Sequence, residues 1–241
     1  MKAVILAGGK GTRLRPYTTV IPKPLLPVGN YPILEIILKQ LRGFGVHEVV
    51  LAVGHMAQLF QAFFQDGQRY GLKIRYSLET KSLGTAGPLS LLMDEMKEDF
   101  LVMNGDLLTT LNFRRMFEYH CHQGAAATIG LYQREVKIDF GVVETNHDNR
   151  LSKYTEKPVF KFSVSMGVNV LNPKVVRPYL IPGRFLDLPD LMVHLRDDGY
   201  PVYCYSEPCF WLDIGREDDY QKANEIFESH MNEFISDGSL P

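Results

Sequence analysis

Ala3-Val4-Ile5-Leu6-Ala7-Gly8-Gly9-Lys10-Gly11-Thr12-Arg13-Leu14-Arg15-Pro16 lies at the start of the chain and decides how the rest is read. Five apolar residues, Ala3 to Ala7, run without a polar break into two glycines. A short continuous apolar run is the mark of a strand buried on both faces, as in parallel sheets. A Gly-rich turn directly after such a strand lies where ligands of α/β sheets bind, beyond the carboxyl ends of the strands. Without side chains, Gly8, Gly9 and Gly11 let backbone N–H groups close in on an anion. Lys10, Arg13, Arg15 and Lys23 add four cations. The pattern therefore predicts a phosphate site on a parallel sheet. It is not a Walker A loop, since no Gly-Lys-Ser/Thr closes it, and it lacks the third glycine of the dinucleotide fingerprint. Pro16, Pro22, Pro24 and Pro27 follow, so the glycines lead into a long irregular loop of the functional kind.

Outward from this segment, strand and helix signals alternate. Helices are expected at Pro32 to Phe44, Ala57 to Phe64, Ala86 to Met96 and Phe113 to His122. Strands are expected at Glu48 to Val53, Leu72 to Leu78, Phe100 to Asn104 and Ala126 to Tyr132. This predicts an α/β fold with a doubly wound, mostly parallel, Rossmann-like sheet. The second half is β-richer. Phe140 to Thr145 and Leu151 to Glu156 flank Asn146-His147-Asp148-Asn149 as a hairpin. Val164 to Leu171 and Val202 to Tyr205 are strands, Leu188 to Leu195 is a helix, and an amphipathic helix covers Arg216 to Phe234, with Tyr220, Ala223, Ile226 and Phe227 on one face. The expected organisation is one domain over 1–241, with a nucleotide-facing half (1–133) and a second half (134–241) that closes the pocket.

Composition narrows the class. The chain has 241 residues, 45% hydrophobic and 22% charged, which excludes collagen-like and disordered chains. A net charge of −2 argues against a nucleic-acid surface, and no apolar run approaches a membrane span. Three cysteines without CxxC spacing, Cys121, Cys204 and Cys209, point to a reducing compartment, hence to the cytoplasm.

Gly8 to Thr18 (GGKGTRLRPYT), with Pro22-Lys23-Pro24 shortly after, resembles the signature of the sugar-1-phosphate nucleotidylyltransferases, and the resemblance extends over essentially the whole chain. It implies synthesis of an NDP-sugar and pyrophosphate from an NTP and a sugar 1-phosphate. The sugar phosphate would attack the α-phosphorus in line, with Mg²⁺ as cofactor. It also implies that Arg13 grips the triphosphate and that Lys23 neutralises phosphate. Leu6, Ala7, Gly8, Gly9, Gly11, Thr12, Arg13, Glu79 and Gly84 would form the nucleotide pocket.

Asp106 follows the strand Phe100 to Asn104 and so points into the crevice. Asp213 lies on the apolar run Phe210-Trp211-Leu212, where an unpaired carboxylate is costly. The resemblance implies that both hold the metal. Glu79 ends the third strand. The resemblance implies that this position reads the base, and a carboxylate accepts both N1–H and N2–H₂ of guanine while repelling adenine N1, so Glu79 points to GTP. By the same resemblance Gly141, Glu156, Lys157, Ser165 and Gly167 form the sugar pocket. Ser165-Met166-Gly167 departs from the guanylyltransferase pattern and leaves mannose, a heptose and glucose open. The alternatives are uridylyl, thymidylyl or cytidylyl transfer, a non-catalytic subunit on this fold, and a glycosyltransferase, against which the missing Asp-x-Asp speaks. The chain stops after the terminal helix, so a free-standing catalytic domain without a β-helix extension is expected. No sequence feature specifies an oligomeric state.

Overall fold

The computed structural model describes residues 1–235. The elements run β1 (Lys2–Leu6), β2 (Pro27–Val28), β3 (Tyr31–Pro32), α1 (Ile33–Gly43), β4 (Glu48–Val53), α2 (Ala57–Phe64), β5 (Lys73–Leu78), β6 (Phe100–Asn104), β7 (Leu107–Thr109) and α3 (Phe113–Gln123). They continue with β8 (Ala127–Lys137), β9 (Val142–Thr145), β10 (Leu151–Thr155), β11 (Val159–Leu171), α4 (Pro173–Val176), α5 (Leu188–Asp197), β12 (Val202–Tyr205), β13 (Trp211–Asp213) and α6 (Glu217–Phe234).

Seven strands form the central sheet in the order β12-β8-β11-β6-β1-β4-β5. Strand β1 pairs in parallel with β4 and β6, β4 with β5, and β12 with β8, whereas β11 is antiparallel to both neighbours. The sheet is therefore mostly parallel with one reversed strand, the expected α/β architecture. Alternate residues of β1 feed two separate cores. Ala3 and Ile5 join α1, α2, α3 and α6 on one face, while Val4 packs with α5 and residues 86–96 on the other. Both faces are covered, which is why the strand reads as an unbroken apolar run. Chain direction across the sheet reverses at β1, whose neighbours β4 and β6 come from opposite crossovers. That switch point is where open α/β sheets bind ligands.

Two expectations need correction. Ala86 to Met96 is not an α-helix; only Gly87–Leu91 forms a 3₁₀ turn. Pro88 has no N–H to give, and the N–H groups of Ala86 and Gly87 both donate to the Leu186 carbonyl instead of up a helix. The apolar periodicity is real, since Ala86, Leu89, Met93 and Met96 are buried, but tertiary bonds take the backbone. The strands beginning at Ala126 and Val164 are also longer than read. Gln133 to Lys137 pair with Val159 to Ser163 as an exposed two-stranded arm that carries the β9–β10 hairpin. The short pairs β2–β3 and β7–β13 carry no sequence signal of their own.

Candidate active site

The glycine loop is shaped by its downstream anchors. Gly11 is left-handed at φ +59°, and a Cβ there would come within 3.0 Å of Thr18 and 3.1 Å of Lys23. Leu14 N–H and the Thr18 hydroxyl both donate to the Gly11 carbonyl, at 3.0 and 2.8 Å. Leu14, Thr18 and Pro22 to Leu26 are buried, while Lys10, Arg13 and Arg15 stay exposed. The loop is thus pinned from beneath with its cations free.

Lys23 is the exception among those cations, being only 7% exposed. Its ammonium donates to Asp106 Oδ2 at 2.5 Å and lies 3.6 Å from Asp213 Oδ1. The carboxylates meet because β7 and β13 are antiparallel with Asp213 opposite Leu107, and Ile214 N–H donates to the Asp106 carbonyl at 3.2 Å. Burial, and then the neighbouring Asp106 charge, push the Asp213 carboxyl up, against the pull of Lys23 and Arg13. The second oxygen of Asp106, Oδ1, is buried with no hydrogen-bond partner. Two facing carboxylates with an unpartnered oxygen fit a hard divalent cation, and Mg²⁺ needs only one or two carboxylates when phosphates complete its shell. Among the described residues no three His, Cys, Asp or Glu side chains converge, so a wholly protein-made metal cage is not offered.

Leu6, Ala7, Gly8, Gly9, Gly11, Thr12, Arg13, Lys23, Glu79, Gly84 and Asp106 together line one cavity of about 500 Å³ at the switch point. Phe185, Thr85, Asp187 and Asn104 also border it, and sequence reasoning did not single them out. Glu79 is half-buried there. Its Oε2 accepts from Leu83 N–H at 3.3 Å, and a Cβ on Gly8 would fall 2.3 Å from Oε1. Burial pushes its carboxyl up, partly offset by the Leu83 bond.

A second cavity of about 850 Å³ adjoins the first through Arg13 and is bordered by Asp213, Tyr132, Trp211, Arg134, Arg216 and Lys222. Gly141, Glu156, Lys157, Ser165 and Gly167 line neither cavity. Glu156 and Lys157 are exposed at the end of β10, and Gly141 packs against Tyr154. Ser165 is exposed on β11. Gly167 alone meets the first cavity's wall. It is left-handed at φ +71°, and a Cβ on it would lie 2.6 Å from the Asn104 side chain.

The profile of the Nucleotidyl transferase family matches residues 2–230. The chain is 36% identical over 242 residues to a UTP–glucose-1-phosphate uridylyltransferase of Synechocystis sp., covering 92% of this chain and 62% of that protein. It is 33% identical over 228 residues to a mannose-1-phosphate guanyltransferase of Emericella nidulans, covering 91% of this chain and 62% of that protein. The chain therefore spans about three fifths of the length of these relatives. A candidate glucose-1-phosphate thymidylyltransferase from Bacillus anthracis, solved with a sucrose, superposes with a TM-score of 0.76 at 28% identity over 94% of each chain. With a profile match over nearly all of its length and a solved relative of the same architecture, the chain belongs to the nucleotidyl transferase family.

Proposed function

We propose that the chain is a Mg²⁺-dependent sugar-1-phosphate nucleotidylyltransferase that takes GTP. The observation that carries this reading is the one cavity that joins Gly8, Gly9, Gly11, Thr12, Arg13, Lys23 and Asp106 at the sheet's switch point. In this reading the nucleoside lies between Leu6, Ala7, Glu79 and Gly84. Backbone N–H groups of the glycine loop run along the phosphates, as glycine nests do for anions. Lys23 neutralises the α-phosphate, and Arg13 holds the leaving phosphates at the passage to the second cavity.

An oxygen of the sugar phosphate attacks the α-phosphorus, a P–O bond forms, and the bond to the β-phosphate breaks to release pyrophosphate. Such transfer needs positioning and charge neutralisation more than covalent help. Mg²⁺ held by Asp106 and Asp213 supplies further neutralisation of phosphate charge. Lys23, set between the two aspartates, fixes their orientation before any substrate arrives. The resemblance gives the sugar pocket to Gly141, Glu156, Lys157, Ser165 and Gly167; none of the five borders either cavity, and the support for this part of the reading is limited to Gly167, which lies against Asn104 of the first cavity's wall.

The case for guanine rests on Glu79. The relatives are named as a UTP–glucose-1-phosphate uridylyltransferase and a mannose-1-phosphate guanyltransferase, which keeps glucose and mannose in the panel, and the Ser165-Met166-Gly167 departure keeps a heptose there as well. A cytoplasmic setting is supported by three unbridged cysteines, and among the described residues no helix is long and apolar enough to cross a membrane. The test is pyrophosphate release from each of five NTPs against a panel of sugar 1-phosphates, with and without Mg²⁺. Release only with an NTP, a sugar 1-phosphate and Mg²⁺ together is expected. Release without the sugar phosphate, or none at all, refutes the assignment.

A further inference from the structure

We propose that Phe185 is a nucleoside-contacting side chain, its ring laid against the base or ribose of the bound NTP, and that Thr85 and Asp187 position it. This rests on the nucleotidyl-transfer reading above and adds a residue to its nucleotide subsite. Phe185 lines the same cavity as Leu6, Glu79 and Gly84, yet its side chain is 56% exposed. It belongs to neither hydrophobic core, while its neighbours Leu186 and Leu188 pack into the core beneath α5. Water around a large exposed ring in a concave site is released when a flat ligand covers it.

The segment bearing Phe185 is fastened rather than loose. Leu186 N–H donates to the Leu83 carbonyl at 2.9 Å, and the Leu186 carbonyl accepts from Ala86 and Gly87 at 2.8 and 2.9 Å. Asp187 Oδ1 accepts from both the backbone N–H and the hydroxyl of Thr85, at 2.9 and 3.1 Å, and the Thr85 hydroxyl accepts from Leu188 N–H at 2.7 Å. Asp187 occupies the N-cap position of α5 but makes no side-chain cap bond there. A helix cap of a favoured residue type is thus spent on the clip to Thr85. Close approach is possible only because Gly84 and Gly87 lack a Cβ: one would fall 2.5 Å from the Leu186 carbonyl and the other 2.7 Å from the Arg184 carbonyl. The wall carrying Phe185 and the wall carrying Gly84 are therefore a single hydrogen-bonded unit, and the ring is held at the cavity with no partner of its own.

The experiment uses the full chain with Phe185→Ala, Phe185→Trp and Thr85→Val, varying NTP and sugar 1-phosphate separately. Stacking of a base on an aromatic ring corresponds to about 5- to 150-fold in affinity. Phe185→Ala should raise KM for the NTP by a factor in that range, with the loss in KM rather than kcat and with KM for the sugar phosphate unmoved. Thr85→Val should raise the same KM less. Phe185→Trp should restore NTP affinity, and its emission should change on NTP binding beyond the background from Trp211 in the unsubstituted protein. Because the ring is exposed, Phe185→Ala should melt within about 2 °C of the unsubstituted protein. An unchanged NTP KM overturns the proposal, as does a rise confined to the sugar phosphate. If the unsubstituted protein binds no NTP, the functional reading falls with it, and the two failures are told apart by that control.

Discussion

Glu79→Gln separates reading a base from holding a loop. Glu79 has two duties in the structure: Oε2 accepts from Leu83 N–H at 3.3 Å, and the carboxylate faces the nucleotide cavity beside Gly8. Glutamine has nearly the same volume and keeps one carbonyl oxygen for Leu83, so the loop should persist. What changes is the group shown to a base. A carboxylate accepts guanine N1–H and N2–H₂ together, whereas an amide turns one acceptor into a donor. A hydrogen bond to a charged group contributes about 1.5–3 kcal/mol, so the unsubstituted protein should favour GTP over ITP, which lacks N2–H₂, by about 10- to 150-fold in kcat/KM. Glu79→Gln should bring that ratio towards one and raise kcat/KM for UTP or dTTP, whose N3–H and carbonyl suit an amide. Burial already pushes the Glu79 carboxyl up, and a protonated carboxyl cannot accept with both oxygens. The GTP preference should therefore shrink as pH falls through that raised value. The assay is pyrophosphate release with each NTP, alongside a melting curve. A preference for UTP or dTTP in the unsubstituted protein refutes the reasoning. So does an equal loss for every NTP in Glu79→Gln, which would leave Glu79 only the Leu83 bond.

Asp106→Asn and Asp213→Asn should each lower turnover at saturating Mg²⁺ by at least about 10²-fold; near-normal rates in both would remove the metal assignment. Arg13→Ala should cost on the order of 2.7–4 kcal/mol in the transition state while leaving the melting temperature within about 2 °C, since Arg13 is exposed; an unfolded or fully active variant counts against its role. Gly84→Ala forces a side chain into φ +80° with its Cβ 2.5 Å from the Leu186 carbonyl, and should lower the melting temperature by about 2–8 °C, as a left-handed strain of about 1–2 kcal/mol would. His120 is buried, with Nδ1 2.8 Å from the Thr128 hydroxyl and Nε2 3.4 Å from the Asp99 carboxylate but without hydrogen-bond geometry. Burial pushes its pKa down against Asp99, so its neutral form is the folded one; its contribution is complete above the unfolded value of about 6.5 and is lost as pH falls below it. Denaturant titrations at stepped pH should show that slope reduced in His120→Leu, and an unchanged slope refutes it.

Contiguous patterns gave the fold away. β4, α2, β6 and β12 lie at the bounds read from the sequence: β4 and β6 because strands buried on both faces must be apolar throughout, α2 because it keeps helical spacing, and β12, a half-exposed edge strand, from its β-favouring Val-Tyr-Cys-Tyr run alone. The failures have one physical origin, which is that backbone groups take tertiary partners a local window does not contain. The Ala86 to Met96 periodicity looks helical, but the Ala86 and Gly87 N–H groups find the Leu186 carbonyl a hundred residues away. The outer arm of β8 and β11 was missed from the opposite side. Gln133 and Ser163, or Glu135 and Lys161, form cross-strand contacts on an exposed ladder; the β8 side, Gln133-Arg134-Glu135, is polar throughout, whereas Phe160-Lys161-Phe162-Ser163-Val164-Ser165 alternates and is the signal that could have extended β11.

The same division runs through the site. That Gly8, Gly9, Gly11 and Arg13 share one cavity was legible because they lie in one short stretch after a buried strand. The union of Lys23 with Asp106 and Asp213 spans 83 and 190 positions and depends on the β7–β13 register, which three-residue strands do not declare. Phe185 was illegible for a sharper reason. An aromatic residue in a loop becomes informative only when its surroundings deny it a core, and that denial is made by Thr85, Asp187 and the two glycines facing it. Those four residues are ordinary when read singly. Together they bring two stretches a hundred residues apart into one wall and leave the ring facing the cavity. Specificity at this end of the pocket thus depends on how residues 184–188 dock onto 83–87, a property of the fold that the signature loop, however recognisable, does not contain.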